Sequence, residues 1–544
     1  MTGAEALLKA LRGMGVERIF ASPGSDWAPL WEALATDSFW SEKYISSRHE
    51  ETAIGMAMGY AKATGKVPAV MVHTTVGALH TAMIARAALH ERVPMVILAG
   101  EVIGFAEPPS QKVGRQWLRL LTDLGGPARL MEPCVKWSFG LNVPTLLPHT
   151  VQRACQLAAA APRGPVFVSV PTEYMVAGME AKAPPAVLPG LPAVGDADLL
   201  RMQELLAACK SPVIVTEEAG RDPAAVQALV ALAEALDAPV YEAWQPYYMN
   251  FPRSHRLYGG MLVDEMPQPL KDADLVLLVE SVLPWHPPSS ITDKKVLVLG
   301  EDPLHPRLPF WGFRADVVAT GEVGPALLRL SKSVRRTSSG KDLRKPKSEV
   351  TIGPVIDTRW AAQELNAVLP ENVIVVNETI THRLELHHAL QQLAPGAFFE
   401  ASYGGLGVGL ALALGAKHAH PGRTVVCTIG DGAFHYNPVV ASFGAAQEHG
   451  LPMLVVLFNN AGYRSQKNDV ANYYPKGMAV QAGKVVGTSI APPPDYAKLA
   501  EAYGGWGEKV EKPGELRAAL KRGLEQVAQG RLALVDIVLA PVNP

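Results

Sequence analysis

One stretch constrains this chain more than any other: Thr424–Gln466, TVVCTIGDGAFHYNPVVASFGAAQEHGLPMLVVLFNNAGYRSQ. The apolar run Thr424–Ile429 predicts a buried strand, which Gly430-Asp431-Gly432 breaks. Helical spacing follows over 438–448, and a second apolar run, Met453–Phe458, stops at Asn459-Asn460. Two parallel strands joined by a helix bring Asp431 and Asn460 to one carboxyl edge, where open α/β sheets take their ligands. A carboxylate, an amide oxygen and a loop carbonyl there suit a hard cation, Mg²⁺ or alternatively Ca²⁺, that keeps water and phosphate oxygens as its other ligands. The glycines let backbone N–H groups approach a diphosphate.

At 544 residues the chain is too long for a single core, and three domains are expected. Two segments predict the boundaries. Ala181–Ala197 is rich in proline and small residues, and Ser331–Glu349 is basic, polar and read as a solvated tether. They divide the chain into roughly 1–180, 190–335 and 350–544. Each block alternates β-branched runs with Ala/Leu-rich helical stretches, which predicts three open, mainly parallel α/β domains. A net charge of −2 gives no reason to expect nucleic acid or an anionic membrane as partner. The four cysteines are widely spaced and form no CxxC pair, as expected of reduced thiols. The N-terminal 20 residues carry charges throughout, unlike a signal peptide, and no apolar run reaches 18 residues. A cytoplasmic protein is expected.

In the first block, Val16–Ala21 predicts a strand running into Ser22-Pro23-Gly24-Ser25-Asp26. Tyr44–Ser47 leads into Arg48-His49-Glu50-Glu51 and then a helix carrying Gly55 and Gly59. Each glycine in a helix costs about 1 kcal/mol relative to alanine, so another backbone is expected to pack against that face. Strands Ala69–His73 and Met95–Gly100 follow. The last block opens with VIVVNETITHR, which holds Thr379 and Thr381, and then GGLGVGLALALGA from Gly404.

Together, RHE, GYAKATG, RVPMVILAGE, the glycine-rich stretch and GDG…NN resemble the thiamine-diphosphate enzymes of the pyruvate decarboxylase and acetolactate synthase superfamily. The resemblance spans the chain. It implies a pyrimidine-binding domain at 1–180, a central α/β domain at 190–335 and a diphosphate-binding domain at 350–544. It implies that Glu50 bonds N1′ of the aminopyrimidine and that Leu406 is the apolar wedge under the bent cofactor. Thr379, Thr381, Gly404, Gly430, Gly432, Ala433 and Tyr463 would line the cofactor. Asp431, the Asn460 side chain and the Gly462 carbonyl would hold the metal. Active sites would lie between subunits of a homodimer or homotetramer.

The active-site pattern is nearest to benzoylformate decarboxylase, through Ser25 in SPGSDWAP, His73 in MVHTTVGA and, less directly, His286 in VLPWHPP. A histidine near neutrality suits proton transfer at the reacting carbon of a 2-oxo acid. The bland alternative for each is a structural histidine. His80 stands where that relative has a smaller amide. Trp27, Trp31, Trp117 and Trp244 are candidates for an aromatic pocket, although isolated tryptophans usually belong to cores. The expected reaction is carbon–carbon cleavage or formation on a 2-oxo acid, with an aldehyde or ketone as acceptor. The rival is an acetolactate-synthase-like transferase, to which Lys136 in CVKWS points. A 2-hydroxyacyl-CoA lyase is a third reading, and a non-catalytic thiamine-fold protein the last. Glu217-Glu218 occupies the turn where relatives hold a dinucleotide, and paired carboxylates argue against FAD.

Overall fold

The computed structural model describes residues 1–104, 125–180, 184–263, 265–344, 352–401 and 405–540. Three six-stranded sheets follow one another along the chain, with every pairing parallel. The first holds β1 (Ile19–Ser22), β2 (Tyr44–Ser46), β3 (Ala69–Val72), β4 (Met95–Glu101), β5 (Trp137–Gly140) and β6 (Pro165–Pro171) in the order 2-1-3-4-6-5. The second holds β7 (Pro212–Thr216), β8 (Val240–Glu242), β9 (Tyr258–Met261), β10 (Leu275–Val279), β11 (Lys295–Gly300) and β12 (Val317–Thr320) in the order 12-11-10-7-8-9. The third holds β13 (Val373–Glu378), β14 (Phe398–Glu400), β15 (Thr424–Gly430), β16 (Leu454–Asn459), β17 (Trp506–Val510) and β18 (Ala533–Val538) in the order 14-13-15-16-18-17. The first and third sheets therefore share one topology, and the central sheet has the dinucleotide-fold order. No sequence repeat announces the shared topology.

In such sheets the strand order reverses at one point, and the crevice beyond the carboxyl ends there is the natural ligand site. The reversals fall between β1 and β3, between β7 and β10, and between β13 and β15. These three places organise the chemistry below.

The expected close packing of the glycine-bearing helix is present. Helix Glu50–Thr64 lies against helix Gly409–Ala419. A β-carbon at Gly59 would stand 2.0 Å from the Leu412 carbonyl oxygen, and one at Gly415 would stand 2.0 Å from that of Met56. The contact joins the first and third domains, and the glycines allow the two helices to touch backbone to backbone. Gly59→Ala gains about 1 kcal/mol of helix propensity. Overpacking against a backbone that cannot yield costs about 1–3 kcal/mol, so a lower denaturation midpoint is expected.

Several boundaries differ from expectation. Helix Thr74–His90 begins directly after β3, so His73 is its N-cap rather than a strand end. Asp431 opens a short helix, Asp431–Tyr436, where only a turn was expected. The basic segment is no free tether over its described part. Arg336 donates to the carbonyls of Leu206, Cys209 and Lys210, and Ser339 bonds Asp237. The four cysteines are unpaired. Among the described residues no helix is long and apolar enough to cross a membrane.

Candidate active site

At the reversal in the first sheet, the chain leaves β1 through Pro23-Gly24 into a short 3₁₀ turn, Ser25–Trp27. The neighbouring strand, β3, delivers His73. The structure brings His73 together with Asp26, a residue the sequence reasoning passed over. His73 Nδ1 lies 2.5 Å from Asp26 Oδ1, and the carboxylate is fully buried. Its other oxygen accepts from Thr74 N–H at 3.3 Å. Thr172 Oγ1 donates to the Asp26 carbonyl, and Trp27 Nε1 donates to the Val72 carbonyl. Two glycines make the room. A β-carbon at Gly24 would meet His73 Nδ1 at 2.1 Å, and one at Gly100 would meet Asp26 Oδ2 at 1.8 Å. Thr74 itself sits at φ +26°, an unfavourable conformation for a β-branched residue that this surrounding structure imposes. Because Nδ1 faces a carboxylate, it carries the hydrogen, and Nε2 is left as the working nitrogen.

Glu50 begins its helix after His49, whose Nδ1 accepts from Glu51 N–H. His49, Glu50 and His80 lie with their polar atoms within 4.8 Å of one another. The bare Cα of Gly77 leaves space beside the carboxylate, since a β-carbon there would come 3.2 Å from Glu50 Oε1.

The third sheet forms the other half. Asp431 Oδ1 accepts from Gly432 N–H and Oδ2 from Gly462 N–H, both at 2.9 Å. Gly430 and Ala433 flank this carboxylate in the chain, and Tyr463 places its ring where a β-carbon on Gly432 would meet it at 2.9 Å. Burial pushes Asp431 up to about 6 despite the two N–H groups that favour its charged form. A buried carboxylate that accepts from backbone amides is the kind of group a bound cation would stabilise in its charged form. Asn460, next to it on the loop after β16, engages the described residues through its Nδ2, at 3.3 Å from His382 Nε2. The Gly462 loop is pinned by the Gly462–Ser489 bridge and turns through Ala461 at φ +56°. The donors present are all oxygens, which fits Mg²⁺ or Ca²⁺.

A buried carboxylate that was not anticipated, Glu378, shapes the glycine-rich turn. It accepts from the N–H groups of Gly407, Val408 and Gly409 at 2.8–3.0 Å and from Asn437 Nδ2 at 2.8 Å. Gly407 takes φ +103° there, and Leu406 stands half-buried at the edge of the core. Gly404 and Trp117 lie outside the described residues.

The remaining candidates occupy varied settings. Thr379 is fully buried and spends its hydroxyl on Asn377 Oδ1, so it supports the turn, while Thr381 is half-buried. Ser25 is exposed. His286 sits on an exposed bend, and among the described residues no hydrogen bond or ion pair links it to His73. Lys136 donates to the Leu157 and Ala160 carbonyls at 2.7 Å and is structural. Trp27 is core, whereas Trp31 and Trp244 are exposed.

At the central reversal, Glu218 pairs with Arg92 and Arg221, Arg92 also reaches Glu280 at 2.6 Å, and Arg163 reaches Glu301 at 2.9 Å. Glu217 accepts from Val282 and Leu283 N–H groups. The paired carboxylates expected at this turn are present, and Arg92 and Arg221 compensate Glu218. Arg92 and Arg163 come from the first domain, so the network also ties two domains together.

Residues 1–116 match the family model described as thiamine pyrophosphate enzyme, N-terminal TPP binding domain, and residues 381–537 match its C-terminal TPP binding domain. The chain is 26% identical over 578 residues to the acetolactate synthase isozyme 3 large subunit of Escherichia coli (strain K12), covering 99% of this chain and 95% of that one. It is 26% identical over 552 residues to a benzoylformate decarboxylase of Pseudomonas aeruginosa, covering 99% of both. Among solved structures it resembles the Rhodococcus jostii RHA1 thiamine diphosphate-dependent 4-hydroxybenzoylformate decarboxylase, with TM-score 0.82, 24% identity and 100% of both chains covered. Benzoylformate decarboxylase from Polynucleobacter necessarius gives TM-score 0.85 at 21% identity, covering 100% of this chain and 99% of that one. With the two matched domains lying on the two sheets of identical strand order, the chain belongs to the thiamine-diphosphate-dependent enzymes.

Proposed function

We propose that this protein is a cytoplasmic, thiamine-diphosphate- and Mg²⁺-dependent enzyme that cleaves or forms a carbon–carbon bond on a 2-oxo acid, in the manner of a decarboxylase and carboligase. The observation that carries the decarboxylase-like reading is the His73–Asp26 pair at the first sheet's reversal. Thiamine diphosphate, when bound, supplies an electron sink at the substrate's carbonyl carbon. Glu50 holds the proton at N1′ of the aminopyrimidine. Asp431, the Asn460 amide oxygen and the Gly462 carbonyl hold the metal. Gly430, Gly432, Ala433, Thr381 and Tyr463 would flank the diphosphate, and Leu406 would pack against the cofactor. His73, oriented by Asp26, moves a proton at the reacting carbon or its oxygen, and Ser25 and the more distant His286 are secondary contacts. The units 1–180, 190–335 and 350–544 serve as pyrimidine-binding, central and diphosphate-binding domains.

The central domain holds no FAD in this reading. Its reversal point is lined by the arginine–glutamate network, in which Glu218, Glu280 and Glu301 already engage the arginines that a diphosphate would need. The acetolactate-synthase-like alternative draws on a relative matched at equal identity over the same share of this chain. Lys136, the residue that suggested it, is spent on backbone carbonyls. Incubation with a panel of 2-oxo acids, with and without acceptor aldehydes, decides between them. Aldehyde release from an aryl or alkyl 2-oxo acid supports the first reading, and acetolactate from pyruvate supports the second.

The two half-sites bear on assembly. The cofactor sites are taken to be shared between chains of a homodimer or homotetramer, as the family resemblance implies. Mixing Glu50→Gln and Asp431→Ala subunits after dissociation is then expected to restore activity in hybrids that pair the two intact halves. A fully active monomer at high dilution would rule this out.

A further inference from the structure

The segment that leaves β13 carries Thr379, Thr381 and then His382, a residue to which nothing above gives a task. His382 is fully buried, and its ring is clamped on three sides. Phe458 stacks on it with centroids 5.7 Å apart and planes 30° apart. Thr358 Oγ1 lies 2.9 Å from Nδ1, and Asn460 Nδ2 lies 3.3 Å from Nε2. Its backbone is tied by its own N–H to the Thr379 carbonyl at 2.9 Å.

We infer that His382 is a positioning residue for the metal: it holds the Asn460 amide by its NH₂ group, so that the carbonyl oxygen stays available to the cation. An amide nitrogen can only donate, so Nε2 must accept. The ring hydrogen is then on Nδ1, where Thr358 Oγ1 accepts it. Among the described residues no protein donor engages Asn460 Oδ1. Without the imidazole, the amide is free to rotate and present NH₂ to the metal position, which a cation rejects. Partners of this kind behind a metal ligand typically carry about 10–100-fold of metal affinity.

The inference rests on the thiamine-diphosphate reading, and the test separates the two. Mn²⁺ binding in the presence of saturating thiamine diphosphate is measured by electron paramagnetic resonance of free Mn²⁺, with no turnover needed. His382→Leu keeps buried bulk without an acceptor and is expected to weaken Mn²⁺ binding about 10–100-fold. His382→Gln restores an acceptor for the amide and is expected to recover most of it. Thr358→Val, which leaves the ring in place but removes its Nδ1 partner, is expected to lose less than His382→Leu. Should the leucine variant not fold, His382→Phe, which keeps a planar ring without an acceptor, takes its place in each of these comparisons. Mn²⁺ affinity in His382→Leu within twofold of the parent overturns the inference and leaves the cofactor reading intact, as does a glutamine variant no better than leucine. A parent that binds no Mn²⁺ with thiamine diphosphate overturns both.

Discussion

Asp431→Ala is expected to abolish turnover and to release thiamine diphosphate together, with excess Mg²⁺ restoring little. Asp431 is the one charged side chain among the three groups assigned to the metal. Its carboxylate is held in place by the N–H groups of Gly432 and Gly462. If residues behind a metal ligand typically carry about 10–100-fold of affinity, loss of the anionic ligand itself should exceed about 100-fold. Calorimetry of cofactor binding with Mg²⁺ measures this directly. A variant that binds thiamine diphosphate as tightly as the parent would show the metal assignment to be wrong. The pH dependence has a definite sign. Burial holds the unliganded carboxyl near 6, so above that value the site is already ionised. Below it the metal must displace a proton, and affinity should fall by about tenfold per pH unit. Mn²⁺ titrations at pH 7 and pH 5 check the slope, and equal affinity at both would contradict it.

How much of this was legible in the sequence depends on which physical signal carried it. Asp431 and Asn460 were legible because each ends an apolar run, and a parallel sheet brings such ends to a common edge. Gly55 and Gly59 were legible because glycine in a helix is unfavourable unless a backbone packs there, and Leu412 supplies that backbone. Asp26, Glu378 and His382 were not. Each acts through a partner distant in sequence: His73 lies 47 residues from Asp26, Gly407 lies 29 from Glu378, and Asn460 lies 78 from His382. No periodicity reports such pairs. Asp26 had one weak signal, a buried-strand exit through Pro-Gly followed by two polar residues, of which only Ser25 was taken up. The central network was half legible. Glu217-Glu218 marked the turn, but the compensating Arg92 and Arg163 belong to a different domain. The described part of the basic segment, residues 331–344, was misjudged for the same reason, since composition does not reveal the Cys209 and Lys210 carbonyls that bind Arg336.

His73→Ala separates the decarboxylase-like reading from the synthase-like one, because the geometry divides the labour of the first half-site. Glu50 stands on one helix, and His73 with Asp26 stands at the strand reversal, so removing the imidazole leaves Glu50 and the metal ligands untouched. The variant should therefore bind thiamine diphosphate and exchange the cofactor's C2 proton at near-parental rate. Positioned acid–base groups contribute roughly 10²–10⁴-fold, and turnover of the 2-oxo acid should fall by that factor. Joining to an added aldehyde needs no proton delivered to the reacting carbon, so it should fall less than aldehyde release. Asp26→Asn tests whether the pair acts as a unit. The amide fits the same Gly24–Gly100 cradle but removes the charge that orients Nδ1–H, so aldehyde release should fall while cofactor binding holds. If both variants turn over within a few-fold of the parent, the 2.5 Å contact is a structural clasp across β1 and β3, and the synthase-like reading moves ahead.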